Sequence, residues 1–234
     1  MEHTIAPLGD RSFFVTLGEE ISPETHHLVR TLTEHLKRKD LHWIEEVVPS
    51  YTGVAVYYDA RALHAEFSSA SPYETAAALF SEFVSGMGRE VKEKEKVVEI
   101  PVCYGGDFGP DLSGVAKKNG LKEKEVMEIH SSREYLVYML GFAPGFPFLG
   151  GMDETIATPR KASPRLSVPE GSVGIAGSQT GVYPVETPGG WMLIGRTPLS
   201  LFRPEEDPPA YLQPGDRVKF YPVSFEEYKR LEEE

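Results

Sequence analysis

YMLGFAPGFPFLGGMDETIATPRKASPRLSVPEGSVGIAGSQTGVYPVETPGGWMLIGRTP, residues 138–198, decides how the second half of this chain is read. Short apolar runs such as SVGIAG and WMLIGR stand between Gly and Pro turn signals, and helical spacing disappears from Tyr135 onward. That pattern belongs to a closed or sandwiched β domain. Glycine permits unusual backbone angles and proline fixes others. Here both alternate with Phe142, Phe146, Phe148, Tyr183 and Trp191, so the loops are read as rigid and shaped for a task. The plainer reading is a β-rich domain with tight turns.

The same stretch inverts the charge of the chain. The 234 residues hold 24 Lys plus Arg against 36 Asp plus Glu, a net charge of −12. Between Thr158 and Pro198 the balance is Arg160, Lys161, Arg165 and Arg196 against Glu170 and Glu186. A basic, Gly-rich patch on an acidic protein suits a carboxylate or phosphate ligand. Alternatively, these cations pair with acids elsewhere in the fold.

Several constellations are missing. No G-x-x-x-x-G-K-[ST] run occurs, so there is no P-loop, and GSQTG at 177–181 centres on Gln179 with Ser178 and Thr180 beside it, not a nucleophile elbow. No metal site is expected, because no histidine pair has ligand spacing; His26 and His27 are neighbours that point apart on a helix. His130 ends a helix just before the rich stretch, as a general base or, the preferred reading, as a C-terminal helix cap. Cys103, the sole cysteine, reads as a small buried strand residue and excludes an internal disulfide, which fits a reducing compartment.

Working outward, HTIAPL and RSFFVTL are strands split by a turn at Gly9 and Asp10. Ser22 and Pro23 start a helix whose face is Leu28, Leu32 and Leu36. WIEEVV and GVAVYY follow as strands, and Ser71–Pro72 opens a helix through Ala76, Leu79, Phe80 and Phe83 that stops near Gly86. With a closing strand this order makes a ferredoxin-like α+β unit. The charge run EVKEKEK, 90–96, marks the boundary between a first domain, 1–93, and a second, 94–234. VVEIPVCY is a strand, helices are expected over Asp111–Lys118 and Lys122–His130, and FEEYKRLEEE reads as a solvated helix end. The acidic balance argues against nucleic acid, no apolar run is long enough to span a membrane, and the N-terminus does not read as a secretory signal. A cytoplasmic location is expected.

VYMLGFAPGFPFLGGMD, PRKASPRLSVPEGSVGIAGSQTGVYP and TPGGWMLIGRTPLSLF resemble the family of the 5-oxoprolinase B-type subunit, the KipI sensor-kinase inhibitor and allophanate hydrolase subunit 1. IPVCYGGDFGPDL, GDRSFF and VPSYTGVAVYYD agree, so the resemblance runs through nearly the whole chain. One departure is Arg203, after Leu201 and Phe202, where the family often carries an acid. The resemblance implies a ferredoxin-like N-terminal domain, a cyclophilin-like β-barrel, and a companion C-type subunit of related barrel fold. A third, A-type subunit joins in an ATP-dependent opening of 5-oxoproline to glutamate, with Mg accompanying the ATP; related domains act as carboxyltransferases in urea-processing enzymes. The chain alone is then expected to be inactive. The alternative is an inhibitor that binds the dimerisation and phosphotransfer region of a sensor histidine kinase; self-association stays open. In the enzyme reading, Arg160, Arg165, Arg196, Gln179 and His130 are the catalytic candidates. Lys161, Thr180, Tyr183, Phe142 and Phe146 are the substrate-binding candidates, with Phe148 and Trp191 joining Phe142 and Phe146 as interface aromatics.

Overall fold

The computed structural model describes residues 3–39, 41–68, 70–86 and 96–233, and the chain divides into two compact units, 1–94 and 95–234. The architecture is mixed α+β, with a small antiparallel sheet in the first unit and a closed barrel in the second.

In the first unit, β1 (Thr4–Pro7) turns at Gly9, whose φ is +83°, into β2 (Ser12–Thr16). Helix α1 (Pro23–Lys39) begins where expected, with Ser22 Oγ accepting from the Thr25 N–H at 3.1 Å. Strands β3 (Ile44–Pro49) and β4 (Gly53–Tyr58) follow. Next comes α2 (Ala60–Phe67), capped by Asp59 and unforeseen in the sequence. Helix α3 (Pro72–Gly86) completes the unit. The sheet order is β1-β2-β4-β3, all antiparallel. Phe13, Val15, Val54 and Val56 meet Val29, Leu32, Ala76 and Phe80 in its core.

A closing strand after α3 was expected. Among the described residues the sheet instead takes β1 as the edge beside β2, and the next strand in sequence belongs to the barrel. The reason is local: the tight Gly9–Asp10 turn pairs β1 with β2 over four residues before any distant strand can compete. Most of the charge run that marks the expected boundary, residues 90–95, lies outside the described residues.

The second unit opens with β5 (Val97–Tyr104) and the two expected helices, α4 (Leu112–Asn119) and α5 (Glu123–Ser131). The remaining strands are β6 (Glu134–Leu140), β7 (Pro147–Gly150), β8 (Arg165–Val168), β9 (Ser172–Ala176), β10 (Gln179–Val182), β11 (Thr187–Gly189), β12 (Met192–Arg196) and β13 (Arg217–Pro222). Seven of the second unit's strands close a barrel in the order β10-β7-β6-β13-β5-β12-β9, while β8 and β11 form a separate ribbon. Ile100, Val102, Val137, Leu149, Val173, Ile175, Ile194 and Phe220 fill the interior. The C-terminal helix α6 (Phe225–Glu232) is not wholly solvated: Tyr228 is buried, its ring 4.5 Å from that of Phe108.

Candidate functional site

The loop between β6 and β7 is drawn tight by Gly141 N–H donating to Phe146 O at 3.1 Å and Phe146 N–H donating to Ala143 O at 3.0 Å. This puts Phe142 at φ +69°, a left-handed conformation that bulky residues avoid, and leaves its side chain 66% exposed. Such strain persists only where the surroundings impose it. Phe146 beneath it is buried, with Tyr183 and Trp191 edge-on at 5.3 and 5.4 Å between ring centres. Close packing here depends on Gly189, where a Cβ would fall 2.4 Å from the Tyr183 hydroxyl. Burial raises the Tyr183 phenol pKa, so the hydroxyl stays protonated.

These rings wall a cavity of about 220 Å³ with Phe142 and Arg160 at its lining. Arg160 is exposed and, among the described residues, has no carboxylate partner. It is the cation available to a ligand in this cavity.

Lys161 and Arg165 are held differently. Lys161 Nζ and Arg165 Nη2 both donate to Oδ1 of Asp111, at 3.2 and 2.8 Å, and the Leu193 N–H donates to Oδ2 at 2.8 Å. Burial alone would raise the Asp111 pKa, but the Arg165, Leu193 and Lys161 hydrogen bonds outweigh it and hold the carboxyl below the usual range. Asp111 stands at the N-cap of α4 without capping it through its side chain. Its carboxylate is turned to the basic loop instead. Lys161 N–H also donates to Gly190 O at 2.7 Å, which ties the loop to the cavity wall. Thus two of the four basic residues do pair with an acid, one that the sequence did not single out. An Asp directly before a helix reads as an ordinary N-cap, and its partners lie 50 and 54 residues away.

The other candidates separate. Arg196 does not join the loop cations: its guanidinium lies 4.9 Å over the Phe108 ring. Gln179 opens β10, half-buried, beside the Gly177–Ser178 turn. Thr180 is fully buried and donates to Gly174 O at 3.0 Å, so its hydroxyl is not presented to a substrate. His130 is also fully buried, between Tyr104 Oη at 2.7 Å and Thr180 Oγ1 at 2.8 Å, and stacks on Phe220. Desolvation lowers its pKa to about 3. The imidazole is therefore neutral, enclosed, and neither a helix cap nor an accessible base. Phe142 and Arg160 are exposed, Tyr183, Phe146 and Trp191 form the wall behind them, and Phe148 is half-buried. Arg203 stacks over Tyr211 at 4.6 Å and pairs with Glu206, which gives the departure from the family pattern a local partner.

Residues 3–212 match the family described as carboxyltransferase domain, subdomain C and D, and the chain belongs to that family. It is similar along its whole length to the 5-oxoprolinase B-type subunit of Bacillus subtilis, with 48% identity over 100% of this chain and 98% of that protein. It is 60% identical to the 5-oxoprolinase B-type subunit of Escherichia coli O157:H7 over 56% of this chain and 61% of that protein. Among solved structures, a conserved uncharacterized protein from Pyrococcus horikoshii aligns with TM-score 0.56 and 46% identity over 96% of this chain and 100% of that one. The urea amidolyase of K. lactis, at TM-score 0.77 and 23% identity, covers 99% of this chain and 15% of its own length, and shares the fold.

Proposed function

We propose that this chain is the B-type subunit of a cytoplasmic, ATP-dependent 5-oxoprolinase-type complex, inactive alone and completed by a C-type and an A-type subunit. The observation that carries this reading is the 48% identity to the Bacillus subtilis protein across essentially both full lengths. The enzyme names of the relatives favour it over the sensor-kinase inhibitor. The first domain is then of ferredoxin-like descent and the second a cyclophilin-like barrel.

The geometry suggests this chain's share of the work. A lactam is a stable amide, and its opening at neutral pH needs activation of the amide oxygen, which ATP supplies by phosphorylation. The residues here do not fit a Mg–nucleotide on their own. The chain has no P-loop, and among the described residues no three His, Cys, Asp or Glu side chains gather as a metal site. In this reading ATP is bound with the partner subunits. Arg160 is suited to hold the substrate carboxylate, while Phe146, Tyr183 and Trp191 offer an apolar wall to a flat five-membered ring. Asp111 keeps Lys161 and Arg165 in place behind them.

The test is reconstitution with the cognate C- and A-type subunits, following glutamate formation with ATP. The assembled complex should be active, the chain alone inactive, and Arg160→Ala should reduce activity of the complex at least about tenfold, the loss of one charge-assisted contact. Its stability should stay within about 0.5 kcal/mol of wild type. Activity of the isolated chain, or an Arg160→Ala complex as active as wild type, rejects the assignment.

A further inference from the structure

The aromatic wall of the cavity at Arg160 contains a buried hydrogen-bond donor. Tyr183 is 1% exposed, and among the described residues its hydroxyl donates to no acceptor. A buried hydroxyl is seldom left so unless a ligand or solvent completes it. The hydroxyl lies beside Gly189, where a Cβ would fall 2.4 Å from Tyr183 Oη, and Gly189, Gly190 and Tyr183 all line the cavity. Bare backbone at 189 therefore leaves open a side of the phenol that any larger residue would cover.

The rest of the lining sets what can meet that hydroxyl. Among the described residues no Asp or Glu lines the cavity, and its polar side chains, Arg160, Tyr183 and Trp191, all carry N–H or O–H groups. The exposed Arg160 guanidinium suits the charge of a ligand. The phenol suits a neutral acceptor. Burial raises its pKa and keeps the proton on, while the Trp191 N–H and the charges of Arg160 and Arg165 act the other way and sharpen the O–H as a donor. A volume of about 220 Å³ fits a small ring compound and falls well short of a nucleotide.

We propose that Tyr183 is a specificity-determining residue of this site: its hydroxyl donates to the ring carbonyl of a compact cyclic acid whose carboxylate lies on Arg160. The role deepens the reading of the cavity as the 5-oxoproline site and rests on it. In 5-oxoproline the carboxylate and the carbonyl stand on the two carbons beside the ring nitrogen, so each meets its own donor. A carbonyl oxygen has two lone pairs, and the one that Tyr183 leaves stays open to activation. A cyclic acid without the carbonyl leaves the buried hydroxyl unpaired, and the site discriminates against it for that reason.

The probes are 5-oxoproline, 3-oxocyclopentanecarboxylate, which keeps the carbonyl and replaces the ring N–H by CH2, and cyclopentanecarboxylate, which lacks both. Calorimetry without ATP, on the chain alone and on the reconstituted complex, reads binding whether or not turnover occurs. The two carbonyl acids should bind at least about tenfold tighter than cyclopentanecarboxylate. Tyr183→Phe keeps a ring in the wall and should weaken both of them about tenfold, while cyclopentanecarboxylate moves by less than about twofold. A loosened wall would weaken all three acids alike, as should Arg160→Ala, which removes the contact common to them. No saturable binding of 5-oxoproline, equal wild-type affinity for the two cyclopentane acids, or a Tyr183→Phe protein that loses all three equally or none overturns the proposal. Glutamate formation judges the enzyme reading separately: an active complex that fails the Tyr183 test keeps that reading and loses only the donor.

Discussion

Asp111 gathers Lys161, Arg165 and the Leu193 N–H beside the cavity at Arg160, whereas Tyr104, His130 and Thr180 run as a neutral line through the barrel core. Both clusters fix polar atoms within a folded interior, but they are charged and uncharged for a reason. The Lys161 and Arg165 side chains keep 32% and 24% of their surface, so water shares the cost of their charge. His130 keeps none, and burying an imidazolium there would cost more than its hydrogen bonds return. Charge survives in this unit where water still reaches it; elsewhere the protein uses the neutral form of a titratable group.

Acid should break this comparison most severely. The folded pKa of His130 lies near 3, below its ordinary 6.5. The unfolded chain therefore takes up a proton that the native state refuses. The stability from neutral His130 is complete above about pH 6.5 and fades as pH falls toward 3, on the order of 5 kcal/mol in all. Urea midpoints of wild type and His130→Gln, taken from about pH 7 to about 4, should converge as pH drops. Parallel curves would mean the ring is not held neutral.

Removing the carboxylate tests the charged cluster. Asp111→Ala leaves two cations facing each other and should cost about 3 kcal/mol in chemical denaturation. Asp111→Asn still accepts from Leu193 and should cost about half as much. Because the folded pKa of Asp111 is lowered, the wild-type advantage over Asn is full above about pH 4 and shrinks below it. A gap that widens in acid contradicts the ion-pair account.

The smallest stability effect is expected at Phe142. Phe142→Gly releases left-handed strain but loses ring edges on Phe146 and Tyr183, 5.4 and 6.4 Å away between centres. These offset, so stability should move by less than about 1 kcal/mol. Substrate affinity of the reconstituted complex should nonetheless fall, separating the lining of the cavity from its support. A Phe142→Gly complex with unchanged KM assigns Phe142 to the surface alone.

Short-range signals were the legible ones. Ser22 with Pro23 and Ser71 with Pro72 start helices because capping is settled within four residues. The dense turns after Tyr135 announced a β domain, and the barrel follows. Basic residues and aromatics of 138–198 were correctly noticed as a group, yet their partition was not visible. Arg160 stays open to a ligand, Lys161 and Arg165 go to Asp111, and Arg196 goes to Phe108. Helix α2 was missed because eight residues with a single fully buried leucine carry little periodic signal.

The sequence by itself determined the α+β class, the caps and turns, the family, and the stretch where the chemistry gathers, since each rests on neighbours in the chain or on long shared motifs. Only the tertiary structure decided which acid serves the basic loop, and that His130 is a neutral core residue. The physical reason is distance along the chain. Asp111 meets Lys161 across 50 residues, and His130 meets Thr180 across another 50, and only closure of the barrel sets what surrounds a side chain and so whether it keeps its charge.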